Sequence, residues 1–268
     1  MNLKVLRSYN IGNYTIIYIN EIGDPLSLIH TIETEPYVSG LGRGRIKFIS
    51  HEGQNLVVRQ YLHGGLLRGI TGDRYISSKR VINEISVLLY LKTKGFPCPE
   101  PYCALIKNGF GSKRLFLITK KIDNAVPFSQ ILKETKGNRR ARQILALACL
   151  VTRLFKLGVI HADLHLSNVL VANNNELFIV DFDRAKIKNR IKKRDFLKIL
   201  FRLYRYARAL EKKGEFLLTD KEKLLFLRAC SSILGYDIID PVIKRIKKVE
   251  LIQEIGWFIE SKIYGGKK

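Results

Sequence analysis

The stretch "HADLHLSN", residues 161–168, concentrates an aspartate, an asparagine and two histidines between two largely apolar runs. Filling a core does not call for these side chains, because Asp and Asn are mostly exposed in folded proteins. A second motif, "IVDFD" (179–183), follows closely. The turn-forming "NNNE" (173–176) separates two short β-type runs, which favours a hairpin between the motifs. Such a hairpin brings Asn168 and Asp181 close together.

The spacing of the two motifs is that of a protein-kinase catalytic loop, H-x-D-x-x-x-x-N, followed by D-F-G. Phosphoryl transfer depends on positioning and on neutralising charge. One residue must therefore orient the acceptor hydroxyl, while oxygen ligands hold Mg²⁺ against the phosphates of ATP. We predict that Asp163 is the catalytic residue and that Asn168 and Asp181 bind the metal. The alternative, an ordinary turn beside a core His161, explains either motif alone but not both at this separation.

The order of the predicted elements supports the same class of protein. Runs rich in β-branched and aromatic residues come first, and helical periodicity dominates afterwards. The predicted strands are 14–19, 45–50, 56–62 and 114–122. The predicted helices are 78–91, 127–134, 139–157, 194–212, 219–234 and 241–263. We therefore predict an α+β, bilobal protein-kinase-like fold in one domain, 1–268, with a strand-rich N-lobe (about 1–122) and a helical C-lobe (about 123–268).

The segment "GLGRGR" (40–45) is a candidate for binding the nucleotide. Gly40, Gly42 and Gly44 lead into a predicted strand, and their backbone N–H groups are suited to covering phosphates. A glycine-rich turn of this kind is also typical of an ordinary hairpin.

A second candidate for the nucleotide site is Arg59, in the strand "LVVRQY". Protein kinases carry the lysine of "VAIK" at this place, and that lysine pairs with a glutamate on the next helix. Glu84 is the corresponding candidate here. Arginine keeps the charge and adds a planar fork that can hold phosphate oxygens bidentately. A surface Arg59 and a solvated Glu84 are the alternative.

Two motifs that are absent from the sequence restrict the class of acceptor molecule. Residue 162 is alanine, so the arginine that reads activation-loop phosphorylation in many protein kinases is absent. Only about a dozen residues separate Asp181 from the predicted helix near Arg194, and they contain no A-P-E motif. This leaves little room for docking a peptide, so we predict a small-molecule or sugar acceptor.

The net charge indicates a negatively charged partner. The chain has 47 Lys and Arg against 24 Asp and Glu, a net charge of +23. Nucleic acid, nucleotide and anionic lipid all fit such a charge. Within 184–213, basic residues recur at helical spacing on one predicted face, which suits an anionic membrane surface or lipid phosphates, or is simply solvated. These residues are Lys198, Arg202, Arg205 and Lys212. Trp257 and Phe258 are candidates for an interface anchor or for core packing.

Segments for targeting or membrane insertion are not evident from the sequence. The apolar runs are too short to span a bilayer, and the first twenty residues lack an uninterrupted apolar region and a small-residue cleavage site. The four cysteines are scattered, without a C-x-x-C. We predict a cytoplasmic location with reduced, structural thiols.

Beyond these motifs, the chain resembles the lipopolysaccharide kinase family, and within it the kinases of 3-deoxy-D-manno-octulosonic acid (Kdo). The similarity covers roughly residues 40–187. It includes Arg in place of the usual lysine, and D-F-D in place of D-F-G. The blocks that carry it are "GRGR" (42–45), "VVRQYLHGGLLRGITGDRYI" (57–76), "GFPCPEP" (95–101), "LITKKIDNA" (117–125), "HADLHLSN" (161–168) and "VDFDRAK" (180–186).

The resemblance implies ATP-dependent phosphorylation of the 4-OH of Kdo on a lipid A precursor. It also implies a peripheral protein at the cytoplasmic face of the inner membrane, in lipopolysaccharide biosynthesis. The sequence departs from the family at His165, where Asn is frequent, and near His63, where a second Arg or Tyr is frequent. In the family that the chain resembles, both positions are ones that contact the acceptor or the γ-phosphate.

Other functions stay open at this point. A heptose kinase, or another small-molecule or protein kinase of the same fold, shares the motifs. An inactive kinase-like module that binds nucleic acid or membrane also fits the charge. Against that module, every residue needed for metal binding is present, and aromatic RNA-binding signatures are not evident. We therefore expect no nucleic-acid partner, while the sequence leaves open the oligomeric state and the number of metal ions.

Overall fold

The protein is described by a computed structural model covering residues 6–38, 45–63 and 72–247. Its backbone is of the predicted α+β class, with most strands before residue 122 and most helices after it. The chain divides into two compact units, each built from several segments. The first unit comprises Met1–Val126, His161–Asp163 and Asn168–Ile187, and the second comprises Pro127–Ile160, Leu164–Ser167 and Lys188–Lys268.

A six-stranded antiparallel sheet forms the framework of the first unit, in the order β1-β2-β5-β6-β4-β3. Its strands are β1 (Arg7–Ile11), β2 (Tyr14–Tyr18), β3 (Arg45–His51), β4 (Gln54–Gln60), β5 (Pro101–Gly109) and β6 (Ser112–Lys120). Two helices accompany them, α1 (Pro25–Thr34) and α2 (Lys79–Thr93). The strands predicted at 14–19, 45–50, 56–62 and 114–122 are present, with shifts of up to two residues at their ends.

Alternating burial on these strands builds the core of the first unit. On β4, Leu56 and Val58 are fully buried, and they join an apolar cluster that also contains Leu28 and Ile32 of α1. Helix α1 begins at a proline, and the Asp24 carboxylate caps it by accepting a hydrogen bond from the Leu26 N–H at 2.9 Å. Arg59 lies between Val58 and Gln60 on β4, which pairs with β3 on one side and with β6 on the other.

Three of the described elements before residue 122 were not predicted from the sequence. Strand β1 is almost entirely exposed, so it carries no apolar alternation to detect. Helix α1 is short and rich in β-branched residues, which weakens its helical signal. Strand β5 follows the run of prolines at 97–101, which is more typical of a break than of a strand start.

The hairpin predicted between the two motifs is present. Strand β9 (Val169–Val171) pairs antiparallel with β10 (Leu177–Ile179). The intervening turn includes Asn175 in the left-handed region, at φ 61°, a conformation that Asn tolerates. At the open end of the hairpin, the Val180 N–H donates to the carbonyl of Asn168 at 2.9 Å. Asn168 therefore lies beside the residue preceding Asp181.

Helices dominate the second unit. They are α3 (Phe128–Glu134), α4 (Gly137–Lys156), α5 (Lys193–Lys212) and α6 (Asp220–Leu234), followed by helical residues 239–247. Helix α4 packs against α6 and buries nine of its side chains, in agreement with its largely apolar sequence. The helices predicted at 127–134, 139–157, 194–212 and 219–234 are confirmed within two residues. Residues 248–263 of the last predicted helix lie outside the described residues, as do Trp257 and Phe258.

Short strands link these elements along the chain: β7 (Val126–Pro127), β8 (Val159–Ile160) and β11 (Lys186–Ile187). All four cysteines are free thiols, three of them buried and Cys149 exposed. Across the described ranges, no helix combines the length and the apolar character needed to cross a membrane.

Candidate active site

The catalytic-loop histidine is a buried structural residue. The His161 Nδ1 atom accepts a hydrogen bond from the Asp163 N–H at 3.2 Å. Because Nδ1 accepts, we assign the ring proton to Nε2, which donates to the Val180 carbonyl at 3.1 Å. The ring also lies 5.0 Å from the Phe182 ring, centroid to centroid. His161 therefore ties the backbone of Asp163 to the strand end that carries Asp181.

Asn168 completes the connection between the loop and the hairpin. Its side chain is largely buried, and its Nδ2 donates to the backbone carbonyl of Asp163 at 3.0 Å. The amide oxygen of the same side chain is the atom able to bind a hard cation. Asp163, Asn168 and Asp181 are thus connected through His161 and Val180 by four hydrogen bonds.

Asp181 occupies an unusual backbone conformation. Its φ is 61°, in the left-handed region that only a few non-glycine residues adopt. Residues in this region cluster at functional sites, where the surrounding structure holds them in place. The next residue, Phe182, is fully buried and anchors the segment in the core. Asp181 itself remains about two-fifths exposed.

Arg59 connects strand β4 with both helix α2 and Asp181. Its Nη2 pairs with the carboxylate of Glu84, and its Nη1 lies 2.9 Å from Oδ1 of Asp181. Glu84 is almost completely buried, and the Tyr61 hydroxyl donates a hydrogen bond to the same Glu84 oxygen. The Arg59 guanidinium also stacks over the Tyr61 ring, 4.6 Å from its centroid. The pair that the sequence predicted between Arg59 and Glu84 is present.

Burial and pairing have opposite effects on this pair of charges. Burial raises the pKa of the Glu84 carboxyl to about 6, and the Arg59 guanidinium offsets only part of that rise. Burial also opposes the charge of Arg59, but Glu84 and Asp181 outweigh burial and raise the pKa of Arg59 above its ordinary value. The guanidinium therefore stays charged, and Glu84 is the member of the pair that titrates near pH 6.

This titration predicts opposite effects of pH on activity and stability. As the pH falls from 7 to 5, Glu84 takes up a proton, and the charged pair with Arg59 is progressively lost. Wild-type activity is expected to fall accordingly. The unfolded chain releases the same proton at lower pH, so the contribution of Glu84 to the free energy of unfolding decreases as pH rises from about 4.5 to about 6. Activity and thermal-unfolding profiles over pH 5–8 measure both effects.

The control for the pH effect is Glu84→Gln, which cannot titrate. Its activity is expected to be low and flat over the same range, near the wild-type level at pH 5. A Glu84→Gln variant that retains the wild-type fall in acid would assign that fall to another group.

The oxygen ligands at the site fit a magnesium ion. Oδ1 of Asp181 is buried and accepts no hydrogen bond of regular geometry from the described residues. With the amide oxygen of Asn168 it provides two hard ligands, and Mg²⁺ in phosphoryl-transfer enzymes binds one or two protein side chains plus phosphates and waters. No cluster of three or more His, Cys, Asp or Glu ligands occurs within 6–38, 45–63 and 72–247.

Several residues at the site were not predicted from the sequence. Arg80 on helix α2 holds Asp183, the last residue of D-F-D, and its Nη1 donates to the Tyr75 hydroxyl at 2.7 Å. Tyr61 supports Glu84. A signal for Arg80 was available in the sequence, because positions 80 and 84 lie on one face of a helix. Its partner, 103 residues away, was not detectable.

The two histidines at which the sequence departs from the family, His63 and His165, both stack on tyrosine rings. The His63 Nε2 lies 2.8 Å from the Arg74 carbonyl, and its ring stacks on Tyr75 at 4.2 Å. His165, in the second unit, stacks on Tyr206 at 4.4 Å. The candidate phosphate-covering residues Gly40, Gly42 and Gly44 lie outside the described residues.

The fold and the site together have the arrangement of a kinase-like phosphotransferase. The model of the lipopolysaccharide kinase (Kdo/WaaP) family matches residues 29–229. The chain therefore belongs to the lipopolysaccharide kinase (Kdo/WaaP) family.

Individual relatives share modest identity with the chain. A 3-deoxy-D-manno-octulosonic acid kinase from Mannheimia succiniciproducens is 32% identical over 158 residues, covering 55% of this chain and 65% of that relative. One from Vibrio parahaemolyticus is 27% identical over 193 residues, covering 68% of this chain and 80% of the relative. A solved MAP kinase structure from Leishmania major matches 59% of this chain and 49% of its own, at 18% identity and a TM-score of 0.39.

Proposed function

We propose that this protein is a kinase that uses ATP and Mg²⁺ to phosphorylate the 4-OH of Kdo on a lipid A precursor, in lipopolysaccharide inner-core biosynthesis. The main support for kinase chemistry is a group of five residues connected by ion pairs and hydrogen bonds: Arg59, Glu84, Asp163, Asn168 and Asp181. Family membership and the names of the relatives support the choice of Kdo.

Each side chain has a role that follows from its chemistry. Asp163 orients the acceptor hydroxyl and accepts its proton, because a carboxylate at this point of the loop is the general base of kinase-like sites. Arg59, held by Glu84, is available to neutralise phosphate oxygens. Asn168 and Asp181 would hold Mg²⁺, which when bound neutralises charge on the phosphates of ATP. Gly40, Gly42 and Gly44 would cover those phosphates through backbone N–H groups.

The charge of the chain supports an anionic acceptor. Kdo carries a carboxylate and lipid A precursors carry phosphates, so both complement a net charge of +23. The short segment after Asp181, with only 11 residues before helix α5 begins at Lys193, supports a small acceptor over a docked peptide.

The acceptor is tested by mass spectrometry of the reaction products. With ATP and Mg²⁺, the enzyme is expected to add one phosphate to Kdo–lipid IVA and to leave lipid IVA without Kdo unchanged. A heptose-containing acceptor and a generic protein substrate serve as parallel reactions. Phosphate transfer to either of those, with Kdo–lipid IVA untouched, would retain the kinase chemistry and reject this acceptor. No ATP turnover, together with RNA binding on a filter, would favour the inactive module.

A basic face on helix α5 supports a peripheral position at the cytoplasmic face of the inner membrane. Its opposite face is buried in the second unit through Phe196, Ile199, Leu200 and Leu203. The cationic side chains that recur on the outer face are all exposed: Lys198, Arg202, Arg205 and Lys212. Each cation near an anionic bilayer contributes on the order of 1 kcal/mol. This face is therefore our candidate membrane surface.

Neutralising Lys198, Arg202 and Arg205 to glutamine is expected to weaken binding to vesicles containing anionic lipid by about 100-fold. Use of the lipid substrate should weaken in parallel, and ATP binding should not change. Vesicle co-sedimentation at low and high salt measures the effect, since salt screens it.

The matched control removes three exposed lysines elsewhere in the chain, Lys92, Lys121 and Lys136. Both variants lose the same total charge. If the control weakens vesicle binding as much as the α5 variant, net charge is responsible and the α5 face has no special role.

A further inference from the structure

The D-F-D motif ends in an aspartate that is held by an arginine from helix α2. Arg80 Nε donates to Asp183 Oδ1 at 2.6 Å, and Arg80 Nη2 pairs with Oδ2 of the same carboxylate. This two-pronged pairing, here named the Arg80–Asp183 clamp, is the strong and directional form of an ion pair. In the D-F-G of protein kinases the third position is glycine, which has no side chain to hold.

The clamp is enclosed by aromatic side chains. Arg80 Nη1 donates to the Tyr75 hydroxyl, and the guanidinium lies 5.2 Å from the Tyr61 ring and 5.4 Å from the Tyr75 ring. Both members of the ion pair are about four-fifths buried. Burial opposes the charge of Asp183, but Arg80 outweighs burial and lowers the pKa of Asp183. Asp183 is therefore an ionised carboxylate paired with Arg80 through both of its oxygens.

Two residues of helix α2 contact the segment 181–185 directly, and a third acts on it through Arg59. Arg80 holds Asp183. The Asn83 amide donates to the Ala185 carbonyl at 2.9 Å. Glu84 acts through Arg59, whose Nη1 lies 2.9 Å from Asp181. Hydrogen bonds and ion pairs thus connect helix α2 to this segment within the first unit.

The segment needs such support because its backbone is strained. Asp181 and Arg184 both have positive φ, 61° and 59°, although neither is glycine. Such residues persist only where the surrounding structure holds them. In protein kinases, phosphorylation of a longer activation segment helps to place the equivalent parts. In this chain, only 11 residues separate Asp181 from the start of α5 at Lys193.

We propose that Arg80 is a positioning residue, and that the Arg80–Asp183 clamp keeps Asp181 in its metal-binding place without any phosphorylation step. The proposal rests on the proposed kinase function and adds to it a mode of control: the site is assembled whenever the first unit is folded. Arg80 touches neither nucleotide nor acceptor in this role. It acts through Asp183 and the backbone of Asp181.

A double-mutant cycle tests the clamp. Arg80→Ala and Asp183→Ala are each expected to lower kcat by about 10- to 100-fold, the usual effect of losing an outer-shell partner of a metal ligand, and to raise the Mg²⁺ concentration needed for half-maximal activity. If the two residues act only through each other, the double variant is no worse than the poorer single variant. Fully additive losses would overturn the proposal.

Hydrogen exchange separates positioning from general stability, and it does not depend on the acceptor. The amides of 181–187 are expected to exchange faster in Arg80→Ala, while exchange in the β5–β6 pair stays as in wild type. Lys120→Ala is the control, because it removes an ion pair of 2.8 Å to Glu100 in the same unit. It should change neither Mg²⁺ dependence nor exchange at 181–187.

The two proposals fail in different ways. If wild type does not phosphorylate Kdo–lipid IVA, the proposed acceptor is wrong, and exchange at 181–187 still decides the clamp. Suppose instead that wild type is active, and that Arg80→Ala has the wild-type Mg²⁺ dependence and the wild-type rate of amide exchange at 181–187. The clamp then has no positioning role, and the kinase function stands.

Discussion

Asp181→Asn is expected to lower phosphate transfer by at least about 10²–10³-fold while leaving the protein folded. The loss follows from removing the negative charge of a proposed metal ligand. The fold is preserved because Asn has the shape of Asp and tolerates the positive φ of 61° found at this position. Product formation by mass spectrometry and thermal unfolding, measured on the same preparation, test the two halves of this prediction.

The control for Asp181→Asn is Asp123→Asn, the same change at an exposed aspartate of the first unit. It should have wild-type activity. Wild-type activity in Asp181→Asn itself would remove Asp181 from the metal site. Loss of the folded state in that variant would instead make Asp181 a structural residue.

Asp163→Ala is expected to lower kcat by about 10²–10⁴-fold with little change in ATP affinity, as for the loss of a general base. The loop should keep its shape, because two of its hydrogen bonds use the backbone of Asp163: the N–H donates to His161 and the carbonyl accepts from Asn168. Alanine retains both groups. Steady-state kinetics and nucleotide titration, done in parallel, separate the chemical step from binding.

A collapse of ATP affinity in Asp163→Ala would contradict the general-base role and indicate a metal ligand or a structural residue. Asn168→Ala provides the comparison. That variant removes the hydrogen bond from Nδ2 to Asp163 together with the metal-ligating oxygen, so it should impair Mg²⁺ use as well as turnover.

The site combines one local and one long-range set of contacts. Asp163, Asn168 and Asp181 are close in sequence and are joined through a hairpin with a short turn. Arg59 lies on strand β4 and Glu84 on helix α2, and both elements are distant from Asp181 in the sequence. Because Arg59 contacts both Glu84 and Asp181, it joins the two sets. Loss of Arg59 would leave the buried carboxylate of Glu84 without its cation, which is costly in a protein interior.

Elements with a strong apolar period were predictable. Helices α4 and α5 each bury a row of side chains, so their apolar residues recur at helical spacing, and their ends fell within two residues of the prediction. Strand β1 and helix α1 were missed for the opposite reason. Strand β1 is held by its ladder to β2 rather than by burial of its side chains. Such pairing leaves no pattern in the strand's own residues.

By itself, the sequence determined the fold class, the hairpin and the approach of Asn168 to Asp181, because short turns and side-chain periodicity restrict nearby residues to few arrangements. It also indicated Arg59 and Glu84 as partners through kinase-like spacing. Only the tertiary structure decided that Tyr61 supports Glu84, and that Arg80 holds Asp183 across 103 residues. Contacts at that separation depend on how the whole sheet, helix α2 and the hairpin pack together, and no local pattern encodes such packing.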